Sequence, residues 1–178
     1  DGLVWELQSP DWKILRQGKA PLAQKKATIQ FSASRSGLYK LAVDAGSNAW
    51  SVPSANVPLG VVCSEGLHLI HGPYRLYFTL PPGASSFRIT FSGEGTETVH
   101  LRVLDPQNHV VAEGETSPQK NTATVQIHPT PTNRAGPWTL ETTKASSGIL
   151  EDYFLRFAGG ICPVLSFHRE AVFQKTAL

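Results

Sequence analysis

Pro73-Tyr74-Arg75-Leu76-Tyr77-Phe78-Thr79-Leu80, a Pro81-Pro82-Gly83 turn, Phe87-Arg88-Ile89-Thr90-Phe91, a Gly93-Glu94-Gly95 break, Val99-His100-Leu101-Arg102-Val103-Leu104, an Asp105-Pro106-Gln107-Asn108 turn and Val110-Val111-Ala112-Glu113-Gly114 succeed one another between residues 73 and 114. Period-two hydrophobicity broken by turn chemistry is the sequence form of antiparallel strands with one buried face. Tyr74, Leu76, Phe78 and Leu80 fall on one face of the first run, Phe87, Ile89 and Phe91 on one face of the second, and Val99, Leu101 and Val103 on one face of the third. The stretch therefore reads as a central meander, and the remaining strands are expected to pack on or beside it.

Outward from that stretch the same pattern recurs. Toward the N-terminus, residues 3–7 and 12–15 read as short strands and 18–26 as a loop with a solvated Lys25-Lys26 pair. Residues 27–33 alternate with Ile29 and Phe31 inward and are expected to form a hairpin with 39–44. Brief strands are expected at 61–63 and 67–70. Toward the C-terminus, 122–128 alternates with Ala123, Val125 and Ile127 on one side, Gly136-Pro137 delivers a strand at 138–142, and 153–157 is the last long strand. Residues 168–176 have Ala171, Val172 and Lys175 at helical spacing. About eleven short strands and no long helical period predict an all-β chain, an antiparallel β-sandwich of jelly-roll-like type. One domain is expected over 1–178, with N-terminal strands in 1–70, the meander in 73–114, and closing strands and tail in 122–178.

The composition narrows the function class. Hydrophobic residues make up 40% and charged residues 17%, so the chain can bury a core while its surface leans on Ser, Thr, Asn and Gln. A net charge of +2 with no Lys/Arg-rich block gives no footprint for nucleic acid. No apolar run approaches the length of a membrane span. The first residue is Asp1 and Met is absent, which suggests a mature or excised fragment. Cys63 and Cys162 read either as buried thiols or as a disulfide closing a loop of about a hundred residues, worth about 4–5 kcal/mol.

Catalytic chemistry finds little footing. There is no Gly-x-Ser-x-Gly elbow. Glu94, Glu97, Glu113 and Glu115 cluster at turns, where carboxylates are usually solvated caps rather than the facing pair of a glycosidase. His68 and His71, with Glu65 nearby, would point to opposite strand faces and so cannot share a metal. Asp44 and Asn48 offer oxygens of the type calcium takes, while a turn built on Gly46 explains the same residues. Beyond that calcium alternative no cofactor is expected, and the chain reads as no enzyme.

Sugar recognition is the chemistry that survives. Sugar rings present C–H faces to aromatic side chains, and their hydroxyls need amide, carboxylate or guanidinium partners. Trp50, beside Asn48 in a polar loop, fits that description, whereas Trp5, Trp12 and Trp138 are expected to pack. A second candidate is the outward face of the meander, where Arg75, Tyr77, Arg88, His100 and Arg102 would share one surface if the three strands were neighbours.

The order of motifs from Tyr74 to Thr142 resembles the small β-sandwich domains of pre-peptidase C-terminal type that are appended to secreted bacterial hydrolases. The residues that carry it are Tyr77-Phe78-Thr79-Leu80-Pro81-Pro82-Gly83, Phe87-Arg88-Ile89-Thr90-Phe91-Ser92-Gly93, Leu101-Arg102-Val103-Leu104-Asp105-Pro106 and Gly136-Pro137-Trp138-Thr139-Leu140. The wider chain resembles modules found beside glycoside hydrolases, through Ser36-Gly37-Leu38-Tyr39, Val43-Asp44-Ala45-Gly46 and Gly72-Pro73-Tyr74-Arg75-Leu76-Tyr77. Where the pre-peptidase type carries aspartates before its Leu-x-Val strand, this chain has Thr96-Glu97-Thr98, so calcium is not carried over. The resemblance implies a secreted, non-catalytic carbohydrate-binding accessory module, with a polysaccharide or oligosaccharide and a neighbouring catalytic domain as partners. The alternative expectation is a structural module that spaces or docks neighbouring domains.

Overall fold

Leu3, Trp5 and Leu7 share one face of the first strand, β1 (Leu3–Gln8), which turns at Ser9-Pro10 and returns as β2 (Ile14–Ala20). In the computed structural model, which describes residues 2–173 apart from Leu22 and Lys25, β3 (Lys40–Asp44) takes the other edge of β1. The result is an antiparallel sheet in the order β2-β1-β3. It belongs to a compact unit over residues 1–53, and residues 54–178 form a second unit. The two units follow one another in the chain where residues 49–59 are irregular and almost wholly exposed.

In the first unit, residues 26–33 form no strand, contrary to the alternation of Ile29 and Phe31. Both edges of β1 are already filled, so a further apolar run there has no ladder to join. Phe31 instead packs on Tyr39, ring centroids 5.2 Å apart, and stays at the surface. The expected 27–44 hairpin is replaced by the β1–β3 pairing. The expected strand at 12–15 and loop at 18–26 also shift, because β2 spans Ile14–Ala20. Lys25 lies outside the described residues.

The second unit holds ten strands: β4 (Gly60–Val62), β5 (Leu67–Ile70), β6 (Arg75–Phe78), β7 (Phe87–Gly93), β8 (His100–Leu104), β9 (Val110–Glu115), β10 (Thr122–Ile127), β11 (Trp138–Thr143), β12 (Asp152–Gly159) and β13 (Val164–Ser166). They form two antiparallel sheets, one in the order β4-β13-β6-β11-β8-β9 and one in the order β10-β7-β12-β5. The whole chain therefore has thirteen strands among the described residues, not eleven. From β4 to β8 each successive strand changes sheet, as do β10 to β13.

That alternation overturns the meander. β6 and β8 both flank β11, and β7 lies in the other sheet between β10 and β12. Period-two alternation fixes which side of a strand is buried, but not whether consecutive strands lie side by side or face each other. Here they face each other. Leu76 and Phe78 of β6, Phe87, Ile89 and Phe91 of β7, Leu101 and Val103 of β8, Trp138 and Leu140 of β11, and Tyr153 and Leu155 of β12 meet in one core and are essentially inaccessible to water. Phe87 meets Phe78 and Trp138 edge-on, each with centroids 5.5 Å away, so aromatic edges and faces join the two layers of a β-sandwich-like body. Trp138 is core, as its pattern predicts.

Two polar devices hold the ends. Asp105 opens the β8–β9 turn, and its Oδ1 accepts the amide N–H groups of Gln107 and His109, both at 2.9 Å. Burial pushes its carboxyl up, but the bonds from His109 and Gln107 together outweigh this and hold it below the ordinary value. Asp105→Ala is expected to cost about 2 kcal/mol of stability at neutral pH by stranding those donors. A depressed folded pKa contributes stability above the ordinary carboxyl pKa that is lost as pH falls through the folded value. The gap between wild type and variant in urea denaturation should therefore narrow below about pH 4. At the other end Tyr153 shares a buried bond of 2.6 Å with Thr142 and donates to the carbonyl of Gly72.

Cys63 and Cys162 are free, buried thiols at the end of the β4–β13 ladder, where the Cys63 amide donates to Pro163 at 2.8 Å. Burial, with Cys162 alongside, pushes the Cys63 thiol up to about 12. The expected helical tail reduces to one 3-10 turn, Arg169–Ala171, and the part of that expectation from Gln174 onward, Lys175 included, lies outside the described residues. No helix among the described residues is long and apolar enough to cross a membrane.

Candidate functional site

Every second residue of β7, β10 and β12 faces away from the core, and strand register assembles these residues into rows. Thr122, Ser92, Phe154 and His68 make the first row, Thr124, Thr90 and Arg156 the second, and Gln126, Arg88 and Ala158 the third. None of these residues is buried, so the outer face of the four-stranded sheet is open along its length. Phe154, 37% exposed, stacks on His68 with centroids 4.2 Å apart and planes 15° from parallel. Asp152 fixes the imidazole through a contact of 2.5 Å from Oδ1 to Nε2. The two rings lie face to face, so each leaves one outer face and its edges to solvent. Beside it, Thr90 and Thr124 share a hydroxyl bond of 3.1 Å. Among the described residues, Arg88 and Arg156 have no carboxylate partner.

The other sheet gathers four of the expected residues on a different surface. Arg75 (β6), Glu141 (β11), Arg102 (β8) and Glu113 (β9) form one cross-strand row. Glu141, only 18% exposed, takes Arg75 Nη2 at 2.7 Å and Arg102 Nη1 at 3.8 Å on its two oxygens. His100 bonds Thr143 at 3.1 Å and lies 3.8 Å from Glu113. Glu115 is occupied by Ser146, whose hydroxyl and amide hold its carboxyl below the ordinary value. The guanidinium groups are thus neutralised by carboxylates on neighbouring strands, and an anionic ligand gains little there.

The lower end of that face is closed. Thr139, opposite Tyr77, is fully buried on an outward position, and Leu104 beside it is nearly so. The segment after β13 is tied across this end: Arg169 donates to Asn108 Oδ1 at 2.7 Å and the Pro106 carbonyl at 2.8 Å, and Thr79 donates to the Phe173 carbonyl at 2.8 Å. Tyr77 is left half-buried.

The sequence expectation is therefore divided. Arg75, Tyr77, His100 and Arg102 share the six-stranded face, and Arg88 lies on the four-stranded one, because β7 is not the neighbour of β6 or β8. Trp50 is solvent-open at 48% and belongs to the first unit, as do Asp44 and Asn48. Asp44 Oδ1 accepts the Gly46 amide at 2.9 Å, and Asn48 turns its backbone and side-chain N–H groups to the Ala45 carbonyl. A closed turn accounts for both residues, and no group of three or more His, Cys, Asp or Glu among the described residues is arranged to hold a metal. His68 and His71 each pair with a carboxylate, Asp152 and Glu151. Phe154, Arg156 and His68 were missed as a site. Parity within 153–157 puts Phe154 and Arg156 opposite Tyr153 and Leu155, but only the β7–β12 pairing brings them beside Arg88.

No protein-family model matches the chain, and no curated protein matches it.

Proposed function

We propose that this chain is a non-catalytic, carbohydrate-binding accessory module of a secreted polysaccharide-degrading protein, with a jelly-roll-like sandwich presenting the open face of its four-stranded sheet. The observation that carries the reading is the exposed Phe154–His68 ring stack flanked by Arg88, Arg156, Gln126 and the Thr90–Thr124 pair. A sugar ring can lay its C–H face on the outer face of such a ring pair, and its hydroxyls find guanidinium, amide and hydroxyl partners at strand spacing. Rigid paired strands limit the ordering cost of binding. The hydroxyl-rich lining suits a polysaccharide with many hydroxyls, and Arg88 and Arg156, with no carboxylate partner among the described residues, suit carboxylate or sulfate groups on it.

The test is electrophoresis of the whole chain through gels containing neutral or anionic polysaccharides, backed by a glycan array. Phe154→Ala is expected to weaken the tightest interaction about tenfold or more. Its side chain is partly exposed, so thermal stability should change little. Arg75→Ala on the opposite face should leave retardation unchanged. An array silent for wild type, or a Phe154→Ala variant that migrates as wild type does, would remove the proposal.

A further inference from the structure

The β1–β2 hairpin is closed in an unusual way. Trp12 donates its amide to the Ser9 carbonyl at 2.8 Å and Ser9 to Lys13 at 2.9 Å, so Ser9-Pro10-Asp11 forms a tight turn completed by Trp12. Trp12 has φ of 63°, a left-handed conformation that such turns ordinarily give to Gly or Asn. A bulky residue is strained there, and this one is 57% exposed, more than any other large hydrophobic residue among those described. Immediately after it, the ladder slips: Gln8 pairs with Ile14 and Leu7 with Arg16, leaving Leu15 as an extra residue in a bulge. Ile14 and Leu15 are both exposed. Two departures from regular geometry thus place three apolar side chains in water at one hairpin tip.

The charge around that tip is one-sided. From Trp12 to Val43 the sequence has seven Lys and Arg residues and no Asp or Glu. Lys13, Arg16, Arg35 and Lys40 lie on the turn, on the segment tied to it, or in the row next to it, and Asp11 is the one carboxylate among them. Asp11 is held by Arg35 at 2.7 Å and Lys13 at 3.5 Å. Exposed Trp and aliphatic side chains ringed by cations match a bilayer interface: the indole suits the headgroup boundary, aliphatic chains enter below it, and Lys and Arg meet lipid phosphates. A sugar would need hydroxyl partners where Ile14 and Leu15 stand, and self-pairing would bring like charges together.

We infer that the Trp12–Leu15 hairpin tip is a peripheral docking element for an anionic lipid bilayer surface. It lies outside the two sheets of the sandwich and acts independently of glycan recognition there. The experiment is co-sedimentation of the full chain with vesicles of phosphatidylcholine alone and of phosphatidylcholine with about one third phosphatidylglycerol, at about 0.1 M salt. The chain is expected to sediment with the anionic vesicles and to stay in solution with the neutral ones. Trp12→Asn should lower the partition coefficient about tenfold while the unfolding midpoint stays equal or rises, because Asn adopts the left-handed turn readily. Lys13→Gln should lower it about fivefold. Absence of sedimentation with anionic vesicles overturns the inference, as does a Trp12→Asn variant that partitions like wild type. Self-association without vesicles that Trp12→Asn abolishes would give the tip to a second copy of the chain, and overturn it as well.

Discussion

Trp138→Ala is expected to remove about 4 kcal/mol of stability from the sandwich unit, a large share of the 5–15 kcal/mol typical of a domain. Trp138 is wholly buried on β11 and lies between rings of both sheets, edge-on to Phe87 at 5.5 Å and tilted against Phe78 at 6.3 Å. Deleting it opens a cavity at the seam, and neither sheet can close the gap without breaking its own ladder. The indole N–H has no partner among the described residues. Trp138→Phe discards that unpaired donor along with part of the volume, and should cost distinctly less, about 1–2 kcal/mol. Urea denaturation followed by far-ultraviolet circular dichroism reads both. If alanine costs under about 1 kcal/mol, the two-layer core as described is wrong.

Gly93→Ala is expected to cost about 3 kcal/mol, far more than a methyl on a strand normally does. Gly93 ends β7 on the inward parity of Phe87, Ile89 and Phe91, so a methyl there points into the sandwich. It would overlap the carbonyl oxygen of Glu97 and approach that residue's carbonyl carbon to 2.7 Å. The obstacle is backbone, and that backbone is anchored. Glu97 donates to Glu94 at 2.8 Å, Thr98 to Ile149 at 2.7 Å, and Ile149 to Thr96 at 2.9 Å, closing one end of the layers. A variant as stable as wild type by thermal denaturation would mean that 94–98 does not lie against β7.

The same residues show what alternation along a chain can and cannot convey. The inward sets on β6, β7, β8 and β10, and the core place of Trp138 on β11, were legible, because a half-buried strand must alternate whatever its neighbours are. Pairing was not legible. β7 meets β12 more than sixty residues later, and no local feature of Phe87 to Gly93 announces that partner. The site inherits this gap: Arg88 was chosen correctly as an outward residue but grouped with Arg75 and Arg102, which the fold places on another surface. The misplaced strand at 27–33 has a different origin. Its pattern is sound, but β1 has no free edge to receive it. Trp12 is expected to pack and instead stands 57% exposed, because nothing in its sequence neighbourhood marks a tryptophan where the backbone asks for glycine.

β6 carries a consequence for the order in which the molecule can be assembled. It lies in mid-sheet between β11 and β13, whose residues are made some sixty to ninety positions after its own. A chain emerging from the ribosome therefore carries Leu76 and Phe78 with no partner on either side until nearly all of the sandwich has been synthesised. Pairing at such separation closes large loops before any contact rewards them, which makes assembly slow and late. Through that interval the nascent strand is an adhesive ribbon, and a shortened chain ending before Val164 would keep one side of it bare for good.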